Sequence, residues 1–244
     1  MIIDKNKIFD IISFTADSKF YYPASMHKTS FMDENWVKHT EIKIDLGQSR
    51  YGGPIFDLPP NVTPPTELLF TAQLDLSKFS QFDKSGLLPK TGQLILFADI
   101  RNEVGEIGKV IYTDISNKDL VRHVIEHEND FFWGKLIDKI STDTETLAAR
   151  YYVPEDDWGK QHLNEDGKNW DYFKGSDQSK IFGILTHCQY NEEKIIEQAF
   201  SNKTVLLQVG ENEFNEEGVF TVLIDKDDLK NKRFDNCEFM WGQS

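Results

Sequence analysis

Cysteine is scarce in this chain: Cys188 and Cys237 are the only two among 244 residues. They stand far apart and outside any C-x-x-C pattern, so no disulfide framework is expected. Long apolar runs are missing as well, and none approaches the roughly 20 residues that cross a bilayer. The opening stretch MIIDKNKIFDIISF has repeated lysines and no small-residue cleavage site, which reads as something other than a secretory signal. A cytoplasmic protein is the expectation. Positive charge is short too, with 27 Lys and Arg against 41 Asp and Glu, a net charge of −14 without a dense basic cluster. Such a field repels phosphate backbones and anionic lipid, which disfavours nucleic-acid and membrane binding. It suits a basic protein partner, or mimicry of nucleic acid towards a nuclease.

Several reaction motifs are also absent. Tyr51-Gly52-Gly53-Pro54 lacks the Gly-Lys-Ser/Thr and the helix of a phosphate loop, and no Ser stands in a G-x-S-x-G context. Asp225, Asp227 and Asp228 lack the glycine of a calcium loop, and Leu229 falls where such a loop needs oxygen. Cys188 follows His187 directly, and adjacency in sequence does not create the geometry of a thiolate pair.

Two stretches organise what is present. LLFTAQLDLSKFSQFDKSGLLPKTGQLILFADI (68–100) and VLLQVGENEFNEEGVFTVLIDKDDL (205–229) repeat the order apolar strand, Gln, loop, Gly, apolar strand, acidic residue. Strands are expected at 41–46, 68–76, 94–100, 109–113, 204–209, 219–224 and 237–241, and a shaped Gly/Pro loop between 49 and 65. Helical spacing of Ile3, Ile8, Ile11 and Ile12 predicts a helix over 5–14, and Phe20 to Lys38 reads as partly extended. Further helices are expected from Ser116 or Asn117 to Glu128, from Thr142 with a Glu145 capping box to Arg150, and after Asn191. A helical turn is expected at Asp227 or Asp228. Residues 151–178 form a polar, aromatic excursion.

Candidate functional residues follow from this layout. Gln73 and Gln208 occupy equivalent places in the two stretches; each either satisfies buried loop amides or, with Asp75 and Asp99, lines a cleft near a pseudo-twofold axis. The aromatics Phe131, Phe132, Trp133, Trp158, Trp170, Tyr172 and Phe173 suit a partner surface or a small core under the excursion. His123-Val124-Ile125-Glu126-His127 fits H-x-x-E-H. On a helix both imidazoles would share a face and could bind zinc, with Glu126 as base and Glu193 or Glu197 as third ligand.

The blocks SRYGGPIFDLP (49–59), LLFTAQLDL with LPKTGQLILFADI (68–100), KIFGILTHCQ (180–189) and VLLQ with GVFTVLIDKDDL (205–229) together resemble the YwqG-like family. The resemblance implies an intracellular bacterial α+β protein with an internally duplicated antiparallel sheet, of unknown function, some of whose members sit among toxin and immunity genes. Where the family pattern has a His and a Pro in the third block this chain has Ser179 and Leu185, while Gly183 and Gln189 match. The chain is therefore expected to be a single α+β domain over 1–244, mainly antiparallel with flanking helices, with repeat units near 41–115 and 180–244. Its expected role is a cytosolic, non-catalytic binding or protein-interaction domain without cofactor; the alternative is a zinc-dependent hydrolase built on His123, His127 and Glu197.

Overall fold

The computed structural model describes residues 3–16, 18–21, 43–99, 107–127, 130–150, 178–187, 190–210 and 218–243. Within them run strands β1 (Phe9–Thr15), β2 (Ser18–Tyr21), β3 (Arg50–Tyr51), β4 (Ile55–Leu58), β5 (Leu69–Asp75), β6 (Gln93–Ala98), β7 (Gly108–Thr113), β8 (Val121–Val124), β9 (Gly134–Leu136), β10 (Lys139–Glu145), β11 (Lys180–Ile181), β12 (Lys203–Val209), β13 (Gly218–Asp225) and β14 (Glu238–Gln243). Four short helices accompany them, α1 (Leu76–Phe79), α2 (Leu147–Arg150), α3 (Glu192–Phe200) and α4 (Lys226–Lys230). The structure is thus mostly antiparallel β-sheet with few helices. Among the described residues no helix is long and apolar enough to cross a membrane.

Sheet I has the order β10-β1-β11-β12-β13-β14, and sheet II the order β2-β9-β3-β5-β6-β7. Their inner faces share one apolar core: Ile12, Phe14, Leu207, Val209, Phe220 and Val222 from sheet I meet Tyr51, Ala72, Leu74, Leu94, Leu96 and Val110 from sheet II. At one end the two sheets close on each other. A Cβ at Gly108 would stand 2.3 Å from the Phe239 ring, so only glycine lets the two edge strands β7 and β14 approach this closely. The outer face of sheet I is covered by α2 and α3, whose Leu147, Ile195 and Ala199 pack with Val205 and Leu223. The outer face of sheet II is covered by the two-stranded ribbon β4–β8, where Phe56 and Leu58 pack with Phe70, Ile95 and Phe97.

This double covering explains why the periodicity of several segments misleads. Residues 5–14 were expected to be helical; instead β1 lies between β10 and β11, with Ile12 and Phe14 in the central core and Phe9 and Ile11 on the other side. Apolar residues on both faces of a strand mimic helical spacing. The expected helix over 117–128 is also a strand. A 3-10 turn at Asn117–Asp119 leads into β8, whose Phe56↔His123 pairing puts its backbone bonds into a ladder. The expected capping box fails because Thr142 pairs with Ile12 inside β10, although α2 forms just beyond it. The loop expected over 49–65 contains β3 and β4, whereas the described part of the expected 41–46 strand, from Lys43, is a turn leading to β3.

Other expectations hold. Strands β5, β6, β7, β12, β13 and β14 lie within a residue or two of their expected places. Asn191 accepts a hydrogen bond from the Lys194 amide at 3.0 Å and starts α3, with Glu192 and Glu193 at the positive end of its dipole. Helix α4 is capped by Asp225 rather than Asp227 or Asp228. The excursion up to residue 177 and most of the Phe20 to Lys38 stretch lie outside the described residues.

Leu74, Leu96 and Leu207 share the central core, while Leu223 belongs to the cluster beneath α3. Because Leu96 and Leu207 come from opposite sheets yet fill one interior, Leu96→Ala and Leu207→Ala should each cost about 2–5 kcal/mol and shift one cooperative unfolding transition. Calorimetry showing two separately shifted transitions would contradict the shared core.

Candidate functional site

The site is positioned by two buried polar clasps. Arg50 is fully buried on β3 and stands opposite Gln73 of β5. Its guanidinium donates to the Ile55 carbonyl at 3.2 Å, to the Gln48 carbonyl at 2.6 Å, to Asp57 at 2.8 Å and to Gln73 Oε1 at 2.9 Å. Gln73 Oε1 also accepts the Asp57 amide at 3.0 Å, and its Nε2 donates to Gln93 at 3.1 Å. Gln93 passes the chain of bonds to Asn117, and Asn117 to Asp75. From β8, Arg122 reaches Asp57 Oδ1 at 2.8 Å and the Ile44 carbonyl at 2.7 Å. These bonds tie β4 and β8 to the outer face of sheet II.

The second clasp repeats the first with different residue types. Lys180 is fully buried on β11 and stands opposite Gln208 of β12. Its ammonium donates to both oxygens of Glu145, at 2.7 and 2.8 Å, and to the Ile184 carbonyl at 2.7 Å. Gln208 Oε1 accepts the Thr186 amide at 3.2 Å, and Gln208 Nε2 donates to the Gln178 carbonyl at 2.9 Å. A serine precedes each cation: Ser49 Oγ accepts from the Asp75 amide, and Ser179 Oγ from the Gly210 amide. A glycine at positive φ follows three residues later, Gly53 at 81° and Gly183 at 82°. The backbone groups that each Gln meets belong to a segment outside the sheet ladder and would otherwise be buried without partners.

Burial alone would raise the Asp57 carboxyl, yet the bonds from Arg122, Arg50 and the Gly47 amide outweigh it and hold the group below its ordinary range. Burial lowers Arg50 from its usual value, and Asp57 opposes that. Buried ion pairs of this kind are costly to break from one side.

This arrangement corrects the cleft expected from Gln73, Gln208, Asp75 and Asp99. Gln73 shares the outer face of sheet II with its partner Ile95, and Gln208 points with Thr221 to the outer face of sheet I, so the shared core separates them. Asp75 caps α1, accepting from Ser77 at 3.0 Å. It pairs with Gln93, whereas Asp99 follows Ala98 at the far end of β6, about 20 Å away at the rise of a strand. The zinc constellation is not assembled either. His123 lies flat on Phe56 at 5.1 Å, His127 is exposed beyond the end of β8, and Glu197 lies on α3 across the sandwich. Among the described residues no group of three or more His, Cys, Asp or Glu side chains could hold a metal. Phe131 is buried and Trp133 half-buried in the segment where Gly53 donates to the Phe132 carbonyl at 2.8 Å; Trp158 lies outside the described residues.

Asp99 instead marks a different concavity. A cleft of about 530 Å³ runs over the outer face of sheet II, floored by Phe56, Phe70, Phe97 and Ile125, with Glu67, Asp99 and Asp130 around it and Pro64 and Pro65 along one wall. Phe56 stacks on Phe70 at 5.4 Å and meets Phe97 edge-on at 5.2 Å, so the floor is rigid. Its three carboxylates come from the Pro-rich turn, the end of β6 and the segment after β8. Only the fold brings them together, and no spacing in sequence pointed to Glu67 or Asp130.

Among the described residues, Cys237 and His187 are both drawn into the packing. Burial, with Asp228 and Asp235 adding to it, pushes the free Cys237 thiol up to about 12, where it stays protonated. His187 is buried, stacked on Tyr190 at 4.0 Å and hydrogen-bonded to the Trp241 backbone.

Two stability predictions follow from these surroundings. Replacing Arg50 with Met removes one of the two cations on buried Asp57 and takes a donor from the Gln48, Ile55 and Gln73 oxygens, and should lower stability by about 3–5 kcal/mol in denaturant unfolding; a loss of only a few tenths would mean that the clasp contributes little. Burial first, then Lys194, lowers His187 below its ordinary 6.5, against the opposing Trp241 bond. The unfolded chain then takes a proton near 6.5 that the folded chain refuses, so this contribution is full above that pH and is lost as pH falls below it. Unfolding curves on either side of pH 6.5 should show this loss in the wild type and a smaller one in His187→Gln.

No curated protein matches the chain. A family model described as a domain of unknown function, DUF1963, matches residues 19–242, which takes in both clasps and the strands of both sheets apart from β1 and the outermost residues of β2 and β14. The chain belongs to this family, DUF1963.

Proposed function

We propose that the protein is a non-catalytic, cytosolic interaction domain that takes a basic segment of a partner protein into the acidic, aromatic-floored cleft over sheet II. The observation that carries this reading is the cleft itself: Glu67, Asp99 and Asp130 surround an apolar floor of Phe56, Phe70 and Phe97. Cationic side chains are attracted by such carboxylates, and their aliphatic stems pack on aromatic rings. The net charge of −14 steers the same kind of partner by long-range attraction. The repeated Ser, cation, Gly and Gln contacts support a further proposal, that the sheet units arose by duplication. They also support the finer placement among YwqG-like proteins, and with it a setting beside toxin and immunity genes.

A fluorescent peptide of alternating Lys and Leu is a suitable probe, with an Asp–Leu peptide as control. Anisotropy should show saturable binding of the Lys–Leu peptide that weakens with salt and falls severalfold in Glu67→Lys, a change at an exposed position. Equal binding of the acidic peptide, or undiminished binding by Glu67→Lys, would sink the proposal.

A further inference from the structure

A second concavity, of about 200 Å³, has the opposite electrostatic character. It lies where β1, the turn after β11 and the start of β12 meet the loop that follows α1. Phe9, Phe82 and Phe182 give it apolar walls, Thr142 and Thr204 add hydroxyls, and Lys84, Lys203 and Lys226 reach into it. In a chain with so large an acidic excess, three lysines around one small cleft are unexpected.

Two acids, Asp10 and Asp83, share the lining, and two of the three lysines already have carboxylate partners. Asp83 accepts from the amides of Ser85, Gly86 and Leu88, and Asp10 pairs with Lys84 at 2.7 Å. Lys203 pairs with Glu238 at 2.5 Å. Lys226 differs: its ammonium donates to the Ser201 carbonyl at 3.2 Å, and among the described residues no carboxylate lies within ion-pair distance of it. Lys7 completes the group, its ammonium 5.0 Å from the Phe9 ring and 4.9 Å from the Phe200 ring. Burial and the nearby Lys7 lower the Lys226 ammonium from its ordinary value, with Asp225 opposing. Lys7 stands against Phe9, a wall of the cleft that Lys226 also lines, and an anion there would be attracted by both ammonium groups.

We infer that this cleft binds a small amphipathic anion, a phosphate or carboxylate group carried on an apolar body, with Lys226 and Lys7 holding the charge and the phenylalanines holding the body. The volume suits a body of about one aromatic ring, since an apolar cavity of about 150 Å³ takes benzene.

The probes are phenyl phosphate, inorganic phosphate and benzylamine, titrated by calorimetry against the full chain. Phenyl phosphate should bind saturably and more tightly than inorganic phosphate, and benzylamine should not bind. Lys226→Met and Lys7→Met should each weaken phenyl phosphate by roughly tenfold or more, the worth of a charge-assisted hydrogen bond. Circular dichroism would establish that each variant folds; if Lys226→Met does not, the exposed Lys7 position decides. Absent saturation, unchanged affinity in a folded variant, or binding of benzylamine overturns the inference. Equal affinity for phenyl and inorganic phosphate overturns the amphipathic class of ligand.

Discussion

A chain segment laid across the outside of a sheet can ladder along one edge at most, and burying its remaining amides and carbonyls unpaired costs more than most packing contacts return. The structure meets this constraint twice by the same means. A cation on a short strand bonds a carbonyl four or five residues ahead, Arg50 to Ile55 and Lys180 to Ile184, while the facing Gln takes an amide two residues further, at Asp57 and Thr186. Gly53 and Gly183, at positive φ, turn the chain between the cation and the segment that it holds. The two clasps use different acids, Asp57 and Glu145, and place different covers: the β4–β8 ribbon over sheet II, and the segment leading to α3 over sheet I.

Those covers determine the character of the central strands. With both faces of each sheet dry, β5, β6, β12 and β13 bury nearly every side chain, polar ones included. A polar residue there is tolerated only with partners supplied by the fold, as Gln73, Gln93 and Gln208 have. The covers also shape the surface. The aromatic floor of the acidic cleft is the underside of the same Phe56, Phe70 and Phe97 packing that seats the ribbon, so binding surface and scaffold are continuous there.

Charge is distributed unevenly over this scaffold. Carboxylates crowd the cleft over sheet II, whereas lysines gather where β1, β11 and β12 meet the loop after α1. The ligands proposed for the two concavities are accordingly of opposite charge. Cys237, which could have served as a nucleophile, is held protonated by burial.

Much of the sheet framework was legible in the chain, because strands such as 69–75 and 218–225 are apolar runs of the right length bounded by Gly, Pro and acidic caps. The equivalence of Gln73 and Gln208 was visible in the repeated order of apolar strand, Gln, loop, Gly and strand; that each stands opposite a cation following a serine emerged only from the strand pairing. Burial on both faces hid the rest. It gave β1 apolar residues at spacings that a helix would also show, whereas β8, with Val121 and Val124 exposed, is extended because it pairs with β4, and only that pairing separates His123 from His127. What the sequence determined by itself is local: strand-forming runs, the cap at Asn191, and an acidic charge balance. What only the tertiary structure decided is which distant side chains meet, because the Arg50–Asp57–Gln73 clasp, the Glu67–Asp99–Asp130 rim and the cleft lined by Lys84, Lys203 and Lys226 are joined through strand order and sheet packing, which no spacing along the chain encodes.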